Sequence, residues 1–236
     1  MRRHRVTPGL FLLLSLLAVF APLVAGAQVI KSGPPACKAV ALTFDLCPVR
    51  KGPGFDEALI DFLAMHQIPA TFFMSGKWIA RHDPEVTRLL AVPFFEVGTH
   101  GHVHAHLPLH SAEEQRAEIL GPVTLLKTHY AHQASLFRPP YGEYNDLTVD
   151  VVNALGLQFV LWNIESGDPD PHLSSEQILD RVQRRVKPGS VIVFHANGKG
   201  AHTREVIEHL ATDVLPTKGL RPVTVSELLS CTQPTR

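Results

Sequence analysis

Two periodicities of apolar residues alternate along the chain. Short apolar and β-branched runs, typical of buried strands, occur at residues 39–44, 70–73, 95–97, 136–138, 159–162, 190–194 and 222–225. Between them apolar residues recur every three or four positions, which predicts helices at 55–66, 84–91, 146–155, 174–185, 203–214 and 226–230, with a long helix opening at Ser111. This alternation predicts an α/β fold whose helices cover a parallel sheet.

Capping signals support several of these helix starts. Ser111 with Glu114, and Ser174 with Gln177, have capping-box spacing, in which each side chain bonds the other residue's backbone N–H. Asp83 stands where an N-cap residue would precede the helix at 84–91. Seven strand–helix units fit a closed or nearly closed barrel in a single domain, with a doubly wound open sheet as the alternative.

The first 27 residues follow a different pattern. Arg2, Arg3 and Arg5 precede an apolar run from about residue 9 to residue 24, and three small residues follow at 25–27. This layout predicts a secretory signal peptide at 1–27 and an exported mature domain at 28–236, either periplasmic or secreted. A membrane anchor is the alternative, but the apolar run is short, so we expect no stable membrane insertion after cleavage.

Charge and composition exclude some partners. The chain has 22 basic and 22 acidic residues, and cleavage after Ala27 removes three arginines and no acid, which leaves the mature chain slightly acidic. This balance does not predict binding to nucleic acid or to an anionic membrane. The fourteen histidines favour metal or acid–base chemistry.

The three cysteines suggest one disulfide. Cys37 and Cys47 flank a predicted strand, and at about 3.3 Å per residue their separation is too large for a bridge. We therefore expect that Cys37 pairs with Cys231 and that Cys47 is free, a hypothesis that counting thiols with and without reductant would test.

Polar residues cluster directly after five of the predicted strands, at 43–48, 100–106, 138–142, 162–168 and 195–197. In either fold the carboxyl ends of parallel strands meet at one edge, so these segments should converge there. A single such residue is often a helix cap or a turn former, but five clusters at one edge indicate a site.

These segments resemble a known family. T-F-D at 43–45, H-x-x-x-H at 100–104, R-P-P-Y-G at 138–142, E-x-x-D at 165–168 and a strand ending in His195 are similar, in this order, to the polysaccharide deacetylases of carbohydrate esterase family four, which share the NodB homology domain. The resemblance runs from about residue 39 to 229. It implies a distorted (β/α) barrel of about seven units and a hydrolase of non-peptide carbon–nitrogen bonds, which removes N-acetyl groups from a glycan such as peptidoglycan, a chitin-like oligomer or an exopolysaccharide.

The resemblance also implies a divalent metal, Zn²⁺ foremost with Co²⁺ or Ni²⁺ as alternatives, bound by His100 and His104. Imidazole suits these metals, and a spacing of four places both rings on one side of a helical turn. His102 and His106 have the same spacing, but the segment that precedes His100 matches the family. Asp45 matches the catalytic base, which takes a proton from the attacking water.

Further roles follow from the same resemblance. Arg138 matches the residue that orients the base carboxylate, and its planar fork suits that task. His195 matches the general acid that protonates the leaving amine, and Asp168 is expected to hold its tautomer. The backbone N–H of residue 141 is expected to help hold the oxyanion. Three residues are expected to bind the substrate: Pro140, Tyr141 and Trp162.

The chain departs from the family at the metal. T-F-D-L-C-P stands in place of T-F-D-D-G-P, so that Leu46 occupies the position of the third ligand and Cys47 replaces Gly. Glu165 replaces an Asp, and Pro169 replaces a Trp that often lines the sugar groove. Four outcomes stay open: Asp45 ligates the metal, two His hold it with extra water, Cys47 supplies a thiolate, or the site holds little metal. Cys47 could also be a small buried apolar residue.

Two other functions compete with the deacetylase. One is a carbohydrate-binding pseudoenzyme of the same fold, which the loss of the third ligand favours. The other is an amidohydrolase acting on a non-sugar amide. The joint presence of a base at Asp45 and an acid at His195 favours an enzyme, because a binding module needs neither. The sequence does not predict the glycan or the oligomeric state.

Overall fold

The computed structural model describes residues 28–231, and the expected signal peptide at 1–27 lies outside the described residues. Nine strands in the described range form one sheet in which every ladder is parallel. They are β1 (Val29–Ile30), β2 (Ala39–Leu46), β3 (Ala70–Met74), β4 (Phe95–Thr99), β5 (Leu136–Phe137), β6 (Gln158–Val160), β7 (Ile164–Glu165), β8 (Val191–His195) and β9 (Arg221–Val223).

The sheet curls into a distorted barrel, as the sequence predicts. Its strand order is β1-β6-β5-β4-β3-β2-β8-β7, and β9 pairs with β2 outside this path. All seven predicted strands are present. The pattern missed β1 and β7, each only two residues long, because so short a run carries no readable periodicity.

Helices follow most strands and cover the sheet. They are α1 (Glu57–Met65), α2 (Gly76–Ile79), α3 (Asp83–Ala91), α4 (Ala112–Tyr130), α5 (Asp146–Ala154), α6 (Ser175–Gln183), α7 (Thr203–His209), α8 (Leu215–Thr217) and α9 (Val225–Leu229). Short 3₁₀ segments occur at Leu107–Leu109 and Pro140–Gly142. A π-helical turn at Leu210–Val214 forms the end of the helix predicted at 203–214 and connects α7 to α8. Among the helices of the described chain, none combines the length and the apolar character needed to cross a bilayer.

The helix starts confirm most of the capping signals. Ser111 with Glu114, and Ser174 with Gln177, form complete capping boxes. The N-cap prediction for Asp83 is wrong, since helix α3 begins at Asp83 itself. The Asp83 carboxylate accepts a hydrogen bond of 2.7 Å from the hydroxyl of Tyr130 on α4, so it ties two helices together instead.

Strand β2 lies at the centre of the fold. It pairs with β3, β8 and β9, and all eight of its residues are buried. Leu42, Phe44 and Leu46 alternate along it and join the main apolar core, so the intervening side chains point to the opposite face. Asp45 lies on that face, in register with His195 of β8.

The cysteines are paired as expected. Cys37 and Cys231 form a disulfide that links the start of β2 to the end of α9, with a Cα–Cα distance of 5.9 Å. Cys47 is free and buried at the end of β2. The segment before β2 and the segment after α9 are thereby joined covalently.

Candidate functional site

A cavity of about 320 Å³ opens at the carboxyl ends of the central strands. This is the edge at which the five polar segments were expected to converge. The expected site residues that line it are Asp45, Cys47, His100, His104, Tyr141, Trp162, Asp168 and His195. Arg138 is fully buried and contacts the site from behind, through Asp45.

Asp45 and Arg138 form a buried ion pair. Arg138 Nη1 donates to Asp45 Oδ1 at 2.8 Å, and Nη2 donates to the Leu161 carbonyl at 3.2 Å. The guanidinium also packs over the Phe73 ring, 4.1 Å from its centroid. Burial alone would raise the pKa of Asp45, but attraction to the His100 ring when it is protonated, together with the charge and hydrogen bond of Arg138, holds this pKa below its ordinary value. Asp45 is therefore ionised at neutral pH and fixed in orientation, as a base must be.

His100 and His104 lie side by side at the cavity, with ring centroids 4.9 Å apart. His100 Nδ1 lies 2.9 Å from the carbonyl oxygen of Arg138, so this nitrogen carries the proton and donates it. Burial lowers the pKa of His100. Burial, together with the repulsion that a protonated His100 would exert, lowers the pKa of His104 to about 3. Both rings are neutral at pH 7, which is the form that binds metals.

The donor atoms fit a metal in part. His100 Nε2, whose lone pair is free, faces Asp45 Oδ2 at 3.6 Å, and two acceptors in that arrangement suit a shared cation. Yet the described residues contain no group of three or more His, Cys, Asp or Glu side chains placed to hold a metal ion. Leu46 lies fully buried in the apolar core. The residues thus fit a metal held by two imidazoles, with Asp45 adjacent.

Cys47 lies in the same cavity with its sulfur already hydrogen-bonded. Asn197 Nδ2 approaches the thiol at 3.0 Å and Lys199 Nζ at 3.4 Å. Burial raises the pKa of Cys47 above its ordinary value, in spite of the Lys199 charge. The side chain is a neutral thiol at pH 7, which disfavours the expected alternative of a ready thiolate ligand.

His195 and Asp168 form a second pair at the same cavity. Asp168 Oδ1 lies 2.9 Å from His195 Nδ1, and Asp168 Oδ2 accepts from the His195 backbone N–H at 2.8 Å. Burial lowers the pKa of His195, but the hydrogen bond and charge of Asp168 outweigh it and raise this pKa above the ordinary value. With Nδ1 held by the carboxylate, Nε2 is the nitrogen left to act in the cavity.

Two of the three residues expected to bind the substrate line the cavity, and the third does not. Tyr141 and Trp162 line the cavity, and Tyr141 is 53% exposed in a left-handed backbone conformation with φ 60°. Gly142 has φ 70°, and a Cβ there would lie 2.7 Å from the Trp162 ring. Pro140 is buried and packs against Gly101, so it shapes the loop behind the cavity wall. The expectation that Pro140 contacts substrate stays a prediction.

Other residues of the site were not expected. Ser166 and Thr203 each donate a hydroxyl to the Asp168 carboxylate, at 3.0 and 2.7 Å. Lys199 lines the cavity four residues after the end of β8. Its position just beyond a strand end was the available signal, but the sequence does not reveal where a loop side chain points.

The chain is similar to known proteins. Residues 32–160, more than half of the chain, match the family model described as polysaccharide deacetylase. The chain is similar to a peptidoglycan-N-acetylglucosamine deacetylase of Bacillus cereus, at 29% identity over 193 residues, which cover 81% of this chain and 88% of that protein.

Solved structures share the fold. A peptidoglycan N-acetylglucosamine deacetylase bound to an N-oxidanyl-benzamide compound superposes with a TM-score of 0.79 at 26% identity, over 88% of this chain and 95% of that one. A pseudoenzyme of carbohydrate esterase family four from Bacillus anthracis superposes with a TM-score of 0.78 at 24% identity, over 86% of this chain and 69% of that one. The second likeness shows the fold alone.

Proposed function

The chain belongs to the polysaccharide deacetylase family, whose class of reaction is hydrolysis of non-peptide carbon–nitrogen bonds, and on that premise we propose that it removes N-acetyl groups from a glycan. The observation that carries the proposal is the pairing of an oriented carboxylate, Asp45 with Arg138, with an oriented imidazole, His195 with Asp168, around one cavity. The two pairs supply a base and an acid to one bound acetamido group.

Asp45 is the proposed base. It accepts a proton from the water that attacks the acetyl carbonyl carbon. The 2.8 Å bond from Arg138 and the lowered pKa support this role, because they keep the carboxylate ionised and aimed. A low pKa also weakens a base, and close placement of the water must compensate for that.

His195 is the proposed acid. Its raised pKa increases the protonated fraction near neutral pH, and Nε2 delivers that proton to the sugar nitrogen as the carbon–nitrogen bond breaks. Acetate and a free amine result. The Asp168 carboxylate supports this role because it stabilises the charged ring and fixes which nitrogen faces the cavity.

A divalent metal held by His100 and His104 would supply a Lewis acid that polarises the acetyl carbonyl. Zn²⁺ is our first choice, because it accepts imidazole and carboxylate ligands, with Co²⁺ or Ni²⁺ as alternatives. The neutral rings and the 3.6 Å approach of His100 Nε2 to Asp45 support metal binding. With two imidazoles instead of three protein ligands, we expect weak affinity.

The names of the relatives support the proposed substrate class. The Bacillus cereus relative is named for peptidoglycan, and we propose an N-acetylated glycan of this kind, a chitin-like oligomer or an exopolysaccharide, with sugars stacked against Tyr141 and Trp162. Such polymers lie outside the cytoplasm, in agreement with our proposal that residues 1–27 direct export and that residues 28–236 form the catalytic domain.

Metal content and acetate release, measured together, test the proposal. Purified protein is assayed for bound metal and then for acetate release from N-acetylglucosamine oligomers with added Zn²⁺ or Co²⁺. We expect acetate in proportion to protein. His195→Ala should lose turnover by about 10²–10⁴-fold while it keeps its metal. Loss of metal in that variant would contradict the acid assignment.

One observation favours a second function, a sugar-binding pseudoenzyme. Leu46 is buried in the apolar core at the position where the family has a metal ligand, and the described residues lack a three-ligand cluster. A protein of this kind would bind the oligomers without releasing acetate at any metal concentration. Retention of both Asp45 and His195 in oriented pairs favours the enzyme.

A further inference from the structure

We propose that the glycan taken by this site is anionic, and that a strip of five cations beside the catalytic cavity binds its carboxylate or phosphate groups. The inference rests on the proposed function and specifies its substrate class. The cationic strip consists of Arg50, Lys51, Lys77, Arg81 and Lys199, all of them exposed.

The strip belongs to the same edge of the sheet as the site. Arg50 and Lys51 lie in the loop that follows β2, and Lys77 lies in α2, which follows β3. The backbone N–H groups of Gly76 and Lys77 donate to the carbonyls of Gly101 and His102, in the loop that carries the two proposed metal-binding histidines. Helix α2 is therefore fastened directly to the wall of the site.

Two of the five cations, Lys77 and Arg81, line a second cavity of about 210 Å³. The loop after β2 forms one side of it, and Lys77 and Arg81 lie on the other. Lys77 lies in α2, and Arg81 lies in the turn that directly follows this helix. Cys47 lines the catalytic cavity and the next residue, Pro48, lines the second one, so the two cavities adjoin along the backbone.

In the part of the chain that the structure describes, none of the five cations of the strip forms an ion pair with a carboxylate. Neither residues 46–55 nor residues 74–82 contain any Asp or Glu. Within residues 28–231 the arginine ion pairs involve only Arg88, Arg138, Arg184 and Arg204. Unpaired cations that line a cavity attract anionic ligands, and a cleft of one sign of charge concentrates them.

Lys199 connects the strip to the catalytic cavity. Its ammonium lies 3.4 Å from the Cys47 sulfur and lines that cavity. The carboxylates of Asp45 and Asp168 are already engaged, by Arg138 and by His195. Glu165, on β7, is the remaining lining carboxylate of the catalytic cavity, and among the described residues it has no ion-pair partner. An anionic glycan is thus directed past Lys199 toward the second cavity and away from β7.

A repeating anionic polymer suits several exposed cations in a row. Each exposed contact is weak, but several act together when the ligand carries a charge on every repeat. A neutral chitin-like chain would form no ionic contact with the strip. The affinity of the protein for a glycan should therefore depend on the negative charge of that glycan.

Binding of matched oligosaccharides tests the inference. One probe alternates glucuronic acid with N-acetylglucosamine, and its control is the same oligomer with the carboxyl groups reduced to alcohols. A parallel arm uses phosphorylated N-acetylglucosamine oligomers against unphosphorylated ones. By calorimetry with the metal-loaded protein at about 0.05 M salt, we expect at least one anionic probe to bind about 5-fold or more tightly than its neutral partner, with the preference shrinking toward 1 M salt.

Variants locate the effect. Lys77→Gln/Arg81→Gln should weaken binding of the anionic probe roughly 3–10-fold, and Lys199→Gln should weaken it separately. Arg185→Gln/Lys187→Gln removes the same charge just before β8, at the opposite edge of the sheet, and should leave binding unchanged. Equal affinity for anionic and neutral probes in both arms, or equal losses in the strip and control variants, would overturn the inference.

Acetate release from the neutral oligomers separates the two proposals. Turnover of neutral oligomers together with binding that ignores charge means that the strip inference fails and the deacetylase stands. Charge-dependent binding without acetate from any probe means that the deacetylase proposal fails and the anion-binding surface stands.

Discussion

Replacing Arg138 with Met tests how the base is held. The side chain is fully buried, and its guanidinium pairs with an Asp45 carboxylate whose side chain is only 5% exposed. Met keeps the apolar contact with Phe73 but removes the charge and both donated hydrogen bonds. An ionised carboxylate would then lie buried without a cation.

The expected cost is about 3–5 kcal/mol, the range for removing one partner of a buried ion pair. The pKa of Asp45 is lowered in the folded protein, so its contribution to stability is present above its unfolded pKa, about 3.9, and is lost as pH falls through the folded pKa. In the variant burial still raises the pKa of Asp45 and the compensating charge of Arg138 is gone. The loss should therefore be largest at neutral pH and should shrink in acid.

Urea unfolding at pH 7 and at pH 4 measures both effects. Arg184→Met, which breaks an exposed pair with Asp180, is the matched control and should cost less than about 1 kcal/mol. The double variant Asp45→Asn/Arg138→Met should lose clearly less than the sum of the single variants, because no buried charge is left unpaired. A cost for Arg138→Met equal to that of the control, or strict additivity in the double variant, would refute the buried-pair interpretation.

Three further predictions concern the acid, the disulfide and the altered motif. Asp168→Asn removes the charge that raises the pKa of His195, so the alkaline limb of the kcat profile should move to lower pH; an unmoved limb would mean that His195 is not the acid. Replacing Cys37 and Cys231 by Ser opens a bridge spanning 194 positions and should cost about 3–5 kcal/mol in urea unfolding of the oxidised protein, whereas reductant should abolish that difference. Leu46→Asp buries a carboxylate in the core and should cost about 3 kcal/mol or more by the same assay, with a smaller loss disproving the core placement.

Much of the fold could be predicted because its signals are local. Strand β2 is an unbroken apolar run apart from Thr43 and Asp45. Because a central strand is buried on both faces, it favours apolar residues at nearly every position, and such a run is easy to recognise in the sequence. Strands β1 and β7 depend on tertiary pairing with β6 and β8, which no pattern within two residues can express. Asp83 is of a residue type that often caps helices, but in the structure its carboxylate accepts a hydrogen bond from Tyr130 of α4.

The sequence predicts which residues gather at the cavity. It does not predict their protonation states or hydrogen-bond partners. Strand ends gave the positions of Asp45 and His195, because parallel strands finish at one edge. The protonation of Cys47 depends on burial and on Lys199, which arrives from a loop distant in sequence. The charge environment of the cavity likewise depends on which carboxylates already have partners, a property of side-chain packing.

Acetate release by the metal-loaded protein, compared between the wild type and Asp45→Asn, tests the central claim most directly. N-acetylglucosamine oligomers and an anionic N-acetylated oligomer serve as substrates, with Zn²⁺ or Co²⁺ present. We predict acetate in proportion to wild-type protein and a loss of about 10²-fold or more in Asp45→Asn, with glycan binding retained. Absence of acetate from every glycan, or equal rates for the two proteins, would contradict it.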